Sequence, residues 1–271
     1  MKKLLLLIFC LLTAATVAAC GNPADTGPAA SSGDTTSKED TSMKETSSEN
    51  PGDTASAPES SGEDTPTVYP LRGKTLIFLG SSVTYGSAAG GTSFVEYLRV
   101  QEKCTTIKEA VSGTTLVDNG DSSYVQRMIK NLPKDREVDH FICQLSTNDA
   151  TQNKPLGRIS DSKDLADFDT GTIIGAMEYI ICYAKETWGC PVSFYTGTRF
   201  DNTLYGKMVD ALYDLKEKWD IGIIDLWNDE EMNGISDELY QKYMSDPIHP
   251  TAEGYRVWWL PKFVEHLERY E

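Results

Sequence analysis

Short, mostly apolar runs alternate along the chain with longer segments of helical period. The runs are rich in β-branched residues and cover 75–79, 106–110, 140–145, 192–196 and 222–226. The helical segments cover 93–102, 123–131, 171–188, 203–219 and 252–269. This alternation predicts β-α-β units, and therefore an α/β fold with a parallel sheet covered by helices on both faces. The last helix contains Pro261 and should be kinked or divided there.

Polar motifs follow the first three predicted strands, at the point where each strand ends. Ser82 follows the first strand, Gly113 the second and Asn148 the third. Ligands of open parallel sheets bind outside the carboxyl ends of the strands. A serine hydroxyl, a backbone N–H at a glycine and an amide side chain are groups that acyl transfer requires. Taken singly, each motif also fits a structural role as a helix cap or a turn residue.

A short turn near the end of the chain places Asp246 three residues before His249. A hydroxyl is a weak nucleophile unless a neutral imidazole takes its proton and a carboxylate fixes the tautomer of that imidazole. The turn would supply both groups to Ser82. His249 lies between two prolines, which stiffen the backbone around it, whereas His140 begins a predicted strand and His266 lies on the last helix. We therefore expect His249 to be catalytic and the other two histidines to be structural.

The four motifs, in this order, resemble those of the SGNH (GDSL-like) hydrolase family, whose four blocks contribute Ser, Gly, Asn and His. The resemblance spans most of residues 75–255. It implies that Ser82 is the nucleophile, His249 the base and Asp246 the partner that orients the base. It also implies an oxyanion hole formed by the backbone N–H groups of Ser82 and Gly113 and by the Asn148 side chain. The implied fold is a flavodoxin-like three-layer α/β/α sandwich around a mostly parallel five-stranded sheet.

Two positions depart from the family pattern. Ser81 stands where the family usually has aspartate, which removes a carboxylate beside the nucleophile, and we expect a modest effect. Ser146 stands where the family most often has glycine, two residues before Asn148. The side chain of Ser146 bears on the width of the oxyanion region.

The first residues have the pattern of an export signal. A positively charged start is followed by an apolar stretch over 4–17, and small residues then precede Cys20 in a pattern that resembles a bacterial lipobox. Cleavage before Cys20 would leave its thiol free for lipid attachment, and several acyl chains anchor a protein stably. We expect a lipoprotein signal peptide over 1–20 and a protein held at the outer face of the bacterial cytoplasmic membrane. The alternative is an ordinary signal peptide with an incidental cysteine.

Residues 21–66 consist mainly of Ser, Thr, Gly, Pro, Ala and acidic residues, with ten acidic side chains against two lysines. Such a segment cannot bury a core, so we expect a disordered acidic tether. The remaining 205 residues, 67–271, are enough for one hydrolase domain. This domain has 31 acidic and 21 basic residues. The acidity of both segments argues against nucleic acid as a partner.

Four cysteines fall in the predicted domain: Cys104, Cys143, Cys182 and Cys190. We expect Cys143 to be a free buried thiol because it lies inside an apolar run. Cys182 and Cys190 flank the end of a helix and the start of a strand, so a disulfide between them stays open. The chain contains no Cys-x-x-Cys or paired Cys/His spacing, and we expect neither a metal site nor a cofactor.

The sequence and the family resemblance together predict a membrane-tethered extracellular serine esterase that works through an acyl-enzyme. The outward address and the family's range favour an O-acyl ester of carbohydrate, above all an acetyl ester on a plant or bacterial polysaccharide. Two alternatives stay open. One is a lipolytic esterase or thioesterase with the same triad, and the other is a glycan-binding lipoprotein whose catalytic site has decayed.

Overall fold

A computed structural model describes residues 68–270 of the chain. The predicted signal peptide, Cys20 and the tether over 21–66 lie outside the described residues and stay predictions. The sheet is built from five strands, which are, in chain order, β1 Thr75–Gly80, β2 Thr105–Ala110, β3 His140–Gln144, β4 Val192–Tyr195 and β5 Gly222–Ile224.

All strand pairs are parallel, and the order across the sheet is β2-β1-β3-β4-β5. This is the flavodoxin-like order. The chain leaves β1 toward β2 on one side and later returns to add β3 on the other. A crevice therefore opens at the carboxyl end of β1, the usual place for a ligand in such a sheet. The predicted α/β class and five-stranded sheet are confirmed, and the sheet is parallel throughout.

Helices connect the strands. The α-helices of the described residues are α1 Ser82–Tyr85, α2 Phe94–Gln101, α3 Tyr124–Asn131, α4 Thr147–Thr151, α5 Ile173–Trp188, α6 Thr203–Trp219, α7 Glu230–Asn233, α8 Asp237–Tyr243 and α9 Leu260–Leu267. A π-helix covers Gly254–Trp259, and single 3₁₀ turns cover Ser87–Ala89, Leu165–Asp167 and Glu268–Tyr270.

Three of the predicted helices begin slightly later than the periodicity suggests, because the first polar residue is a cap. The hydroxyls of Ser93, Ser123 and Thr172 accept hydrogen bonds from backbone N–H groups in the first turns of α2, α3 and α5. An N-cap residue has a non-helical backbone, so the helix proper starts after it. The predicted limits of α6, 203–219, are confirmed.

The core lies on both faces of the sheet. Neighbouring residues of β1 point to opposite faces, so Ile77 and Leu79 pack with α3, α5 and α6. Leu76 and Phe78 pack with α2, the π-helix and α9. The three-layer α/β/α sandwich follows from this period of two along buried strands.

The final helix is divided, as Pro261 predicted. The π-helix ends at Trp259, and α9 begins at Leu260 with Pro261 in its first turn. The backbone stays helical across this boundary, where the Leu260 N–H donates to the Tyr255 carbonyl, and proline, which has no N–H, lies where the hydrogen-bond pattern changes from π to α.

His140 and His266 are buried at the amino edge of the sheet, at the opposite end from Ser82. Their Nε2 atoms lie 2.8 and 2.9 Å from the hydroxyl of Ser193. Burial, and then the neighbouring His266, lower the pKa of His140 to about 3. Burial, and then the charges of Arg269 and Lys216, lower the pKa of His266 to about 4. Both imidazoles are therefore neutral in the folded protein over most of the pH range.

Because both histidines stay neutral in the folded protein, we expect the stability of the protein to fall at acid pH. The unfolded chain binds protons near pH 6.5 and the folded chain does not, so stability is lost as the pH falls below that value. Between pH 7.5 and 5 we expect the free energy of unfolding to fall by about 2 kcal/mol per histidine. Urea unfolding at the two pH values measures this loss. His266→Gln should flatten the dependence, and an equal dependence in that variant would contradict the assignment.

The four thiols of Cys104, Cys143, Cys182 and Cys190 are free and buried. The prediction for Cys143 is confirmed, and the possible pair of Cys182 and Cys190 is not formed. Within residues 68–270, no three or more His, Cys, Asp and Glu side chains are grouped to hold a metal ion. The helices of the same residues are too short or too polar to cross a membrane.

Candidate active site

Ser82 is the first residue of α1, directly after the turn that ends β1. Its side chain reaches the surface only in part, since the residue is 7% exposed. Gly80 makes this turn possible, because a Cβ atom there would collide with the Thr84 side chain. The tight turn leaves the Ser82 hydroxyl at the carboxyl edge of the sheet, where the sequence predicted it.

Gln144, the last residue of β3, holds the start of α1 through its side chain. Its Oε1 atom accepts hydrogen bonds from the Ser81 backbone N–H at 2.9 Å and from the Thr84 hydroxyl at 2.8 Å. Gln144 is fully buried, so water cannot compete for these bonds. The backbone on either side of Ser82 is therefore held by a neighbouring strand.

The Asp246–His249 turn lies against Ser82. The Ser82 Oγ atom is 2.7 Å from His249 Nε2, and His249 Nδ1 is 2.8 Å from the nearer oxygen of Asp246. With the imidazole proton on Nδ1, donated to Asp246, the Nε2 lone pair accepts the serine hydroxyl hydrogen. The three predicted catalytic side chains are thus joined by two hydrogen bonds across 167 residues of sequence.

Asp246 is held as a carboxylate by its own turn. Partial burial acts to raise the pKa of Asp246, but hydrogen bonds from the backbone N–H groups of Ile248 and His249 and from the imidazole outweigh it, and the pKa is lowered. These two N–H groups lie 2.8 and 2.9 Å from Oδ1. One carboxylate therefore shapes the turn and orients the base, which explains the three-residue spacing.

Tyr255 joins the segment that carries His249 to the segment that carries Ser82. The tyrosine lies on the π-helix that follows the turn, and its hydroxyl donates a hydrogen bond of 2.8 Å to the Val83 carbonyl in α1. Tyr255 is fully buried. This contact fixes the distance between the two halves of the site.

Gly113 lies on the loop after β2, and Asn148 lies in the first turn of α4, next to that loop. Gly113 has a φ of 80°, a left-handed conformation that favours glycine. The Asn148 side chain donates one amide hydrogen to the carbonyl of Thr114 at 2.9 Å. An amide NH₂ group has two hydrogens, and this bond uses one of them. The structure therefore joins Asn148 to the loop that carries Gly113.

Ser146 does not intrude on this region. Its hydroxyl accepts a hydrogen bond from the Asp149 N–H and caps α4, and the residue is fully buried. Its φ of −72° is open to any residue, so glycine is not required there. Because the Ser146 side chain points into the protein, it does not narrow the proposed oxyanion region.

Asp149 anchors the loop that follows Thr114. Its two carboxylate oxygens accept the backbone N–H groups of Leu116 and Val117 at 2.7 and 3.1 Å. Burial raises the pKa of Asp149, more than the hydrogen bonds from Ser146 and the two N–H groups lower it. This buried carboxylate therefore joins α4 to a loop that is more than 30 residues away in the sequence.

Asp149→Ala leaves two buried N–H groups without acceptors. Each such group costs about 1–3 kcal/mol, so we expect the free energy of unfolding to fall by about 3 kcal/mol. Urea unfolding followed by circular dichroism measures this change. Asp118→Ala, at a half-buried carboxylate of the same loop, is the matched control and should cost less than half as much. Equal losses in both variants would contradict the anchoring role.

Arg127 of α3 holds the same loops from the other side, and the sequence analysis missed it. Its guanidinium donates to the carbonyls of Gly80 and Glu109 at 2.8 and 3.1 Å and to the Thr114 hydroxyl at 3.0 Å. Arg127 also pairs with the Glu109 carboxylate, and its side chain is 4% exposed. The signal was a single arginine in a helix whose inner face is otherwise apolar. Gln144, a polar residue at the end of a buried strand, carried a similar signal.

The site joins a serine hydroxyl through an imidazole to a carboxylate, at the carboxyl edge of a parallel sheet. This is the catalytic triad of an enzyme that hydrolyses esters. Known proteins agree with this class. The pattern of the GDSL-like lipase/acylhydrolase family matches residues 78–257. The chain belongs to the GDSL-like lipase/acylhydrolase family. No curated protein sequence is significantly similar to the chain.

Solved structures share the fold at low sequence identity. A protein from Lactobacillus plantarum is 20% identical with a TM-score of 0.61, and the match covers 74% of this chain and 99% of that protein. A carbohydrate esterase family 2 enzyme with a carbohydrate-binding domain, from Corynascus thermopiles (Myceliophthora fergusii), is 14% identical with a TM-score of 0.53, over 76% of this chain and 68% of that one. The acetyl xylan esterase AlAXEase is 14% identical with a TM-score of 0.51, over 70% of this chain and 98% of that one.

Proposed function

We propose that the protein is an extracellular serine esterase that removes O-acyl groups, above all O-acetyl groups, from carbohydrate. The observation that carries the chemistry is the 2.7 Å contact between Ser82 Oγ and His249 Nε2, with Asp246 behind the imidazole. The carbohydrate substrate is supported by two structural neighbours, a carbohydrate esterase and an acetyl xylan esterase.

The reaction proceeds through an acyl-enzyme. His249 Nε2 takes the proton of Ser82 while Oγ attacks the ester carbonyl carbon, and the carbonyl π electrons move to oxygen. Collapse of this tetrahedral intermediate expels the alcohol, which takes the proton from the imidazolium. Water then attacks the acyl-serine by the same route, with His249 again as base. Asp246 stabilises the imidazolium in both halves of the reaction.

The negative charge on the carbonyl oxygen needs hydrogen-bond donors. In the proposed oxyanion hole these are the backbone N–H groups of Ser82 and Gly113 and the remaining amide hydrogen of Asn148. Donors that are already fixed before the reaction stabilise the intermediate without reorganisation. The bond from Asn148 to Thr114 and the anchors at Arg127 and Asp149 supply that fixed geometry.

Acyl-chain dependence and acetate release test the substrate class together. We expect p-nitrophenyl acetate to be hydrolysed with a higher kcat/KM than the butyrate and the octanoate, and acetate to be released from acetylated xylan or acetylated peptidoglycan. A preference for octanoate with no acetate release would favour the lipolytic alternative. Specific binding to either glycan without turnover of any ester would favour the glycan-binding alternative.

We also propose that lipid on Cys20 holds the enzyme at the outer face of the cytoplasmic membrane. The support is the run of small residues before Cys20 and the apolar stretch that precedes it. Cys20→Ala should move the protein from the membrane fraction to the soluble exported fraction without changing its specific activity. Fractionation followed by an esterase assay measures both, with Cys104→Ala as the control. Unchanged retention of the Cys20 variant would contradict the anchor.

A further inference from the structure

We propose that a cavity lined by aromatic residues, on the same edge of the sheet as Ser82, binds sugar rings of the glycan that carries the ester. We call this cavity the aromatic groove; it has a volume of about 680 Å³ and is lined by residues that include Phe200, Trp227, Arg199, Lys207 and Asp210. The proposal rests on the proposed carbohydrate esterase function and names where the alcohol part of the substrate lies.

The floor of the groove is formed by Phe200 and Trp227, whose rings pack on the buried ring of Tyr205. Trp227 meets Phe200 edge to face at 5.5 Å between ring centroids and lies 5.0 Å from the ring of Tyr205. Tyr205 is fully buried, while Phe200 and Trp227 are half-buried. The partly open rings offer faces to a ligand. Aromatic faces carry negative charge that attracts C–H groups, and one side of a pyranose ring is made of such groups.

Charged side chains of both signs stand around these rings. Arg199 and Lys207 are exposed donors, and Asp201 and Asp210 are exposed acceptors. Within residues 68–270 these four side chains make no hydrogen bond or ion pair, so they remain available to a ligand. A ring of hydroxyl groups that both donate and accept fits mixed signs, whereas an acyl chain would leave these charges beside hydrocarbon. The chemistry favours a neutral polyol over a lipid tail.

The groove lies at the correct edge of the sheet. Arg199 and Phe200 belong to the loop after β4, and Trp227 follows β5. Three strand spacings separate β1 from β5, so the groove lies roughly 14 Å across the sheet from the end of β1. This span suits an oligosaccharide whose acylated ring is at Ser82 and whose neighbouring rings extend to Trp227.

Contacts of Tyr205 and α6 link the groove to the segment that carries Asn148, a residue of the proposed oxyanion hole. The Tyr205 hydroxyl donates to the Leu145 carbonyl at 3.2 Å, three residues before Asn148. The helix that begins beside the groove, α6, also packs against α4, which carries Asn148. The groove and the proposed oxyanion hole are therefore built on elements that contact each other directly.

A second cavity continues the groove toward the catalytic turn. It has a volume of about 370 Å³, shares Arg199 with the first, and is lined by Tyr240 and Trp258. Tyr240 lies on α8, directly before the catalytic turn: its carbonyl accepts the N–H of Met244, which pairs with Pro250 on the other side of that turn. Arg199 lines both cavities. The two cavities therefore form one path from Trp227 toward the Asp246–His249 turn.

The test compares one oligosaccharide substrate with one small ester. For wild type and Trp227→Ala we measure kcat/KM on acetylated xylotetraose and on p-nitrophenyl acetate, and take the ratio of the two. We expect Trp227→Ala to lower this ratio at least tenfold, mainly through KM. Tyr179→Ala removes a half-buried ring from α5, outside the groove, and should leave the ratio within twofold of wild type.

Two further measurements keep the proposal testable if the first variant does not fold. If Trp227→Ala does not fold, Asp210→Ala removes an exposed side chain with no partner, and it should lower the same ratio at least threefold. In wild type, kcat/KM should rise from acetylated xylose to acetylated xylotetraose, since only the longer chain reaches the aromatic floor. Folding is checked by circular dichroism.

The outcomes separate the two proposals. Wild-type enzyme that cleaves the small ester but releases no acetate from any acetylated oligosaccharide overturns the carbohydrate function and the groove with it. Wild-type enzyme that releases acetate, with unchanged ratios in the folded groove variants and no dependence on chain length, overturns the groove alone.

Discussion

We expect Ser82→Ala to lower kcat for ester hydrolysis by at least about 10⁴-fold, and His249→Ala to lower it by a similar factor. Members of a catalytic triad act as one unit, so each single loss removes most of the rate enhancement and the double variant loses little more. Both variants should stay folded, because the Ser82 side chain contacts His249 at the surface of the site and supports no core element. Steady-state kinetics on p-nitrophenyl acetate measure kcat for the three variants.

Ser81→Ala is the matched control for this prediction. The Ser81 hydroxyl is buried, and within residues 68–270 it has no hydrogen-bond partner that orients it for catalysis. We expect this variant to keep kcat within a few-fold of wild type. An inactive Ser81→Ala together with an active Ser82→Ala would mean that the nucleophile is the other serine.

We expect Asn148→Ala to lower kcat by roughly 10²–10³ and to leave KM within a few-fold of wild type. The oxyanion exists only after attack on the carbonyl, so a donor aimed at it contributes little to substrate binding; loss of one such donor costs about 3–4 kcal/mol of activation free energy. The bond to the Thr114 carbonyl is lost as well, and we expect about 1 kcal/mol less stability. Kinetics and a denaturant midpoint on one preparation separate the two effects.

Gln152→Ala separates loop fixation from oxyanion stabilisation. The Gln152 amide donates to the Gly113 carbonyl at 3.5 Å, so Gln152 also holds the loop that carries Gly113, but it is an exposed residue that follows the last residue of α4. We expect near-wild-type kcat from this variant. If Asn148→Ala and Gln152→Ala lower kcat equally, Asn148 holds the loop and is not a donor to the oxyanion.

The sequence predicted those parts of the fold that depend on local pattern. Alternating apolar runs and helical segments gave the parallel sheet, and Pro261 gave the division of the last helix. The Asp246–His249 pair was visible because a turn of four residues forms it. Helix starts were less clear, since Ser93, Ser123 and Thr172 satisfy the helical pattern while their backbones serve as caps.

The supports of the site depend on contacts between distant segments, which periodicity cannot show. Arg127 reaches Gly80 across 47 residues, and Gln144 reaches Ser81 across 63. The contacts of Asp149 could not be predicted from the sequence, because the backbone N–H groups that donate to its carboxylate lie more than 30 residues away. The aromatic groove combines residues from the loops after two strands, and no single stretch of sequence contains it.

Labelling with a fluorophosphonate tests the proposed nucleophile most directly. Such a reagent phosphonylates a serine whose hydroxyl is activated by a neighbouring base, and the adduct is stable enough for mass spectrometry of the intact protein and of its peptides. We predict one adduct per chain, located on Ser82, absent from Ser82→Ala and formed far more slowly in His249→Ala. An adduct on a different residue, or active enzyme that forms no adduct, would contradict the assignment of Ser82, His249 and Asp246 as the catalytic triad.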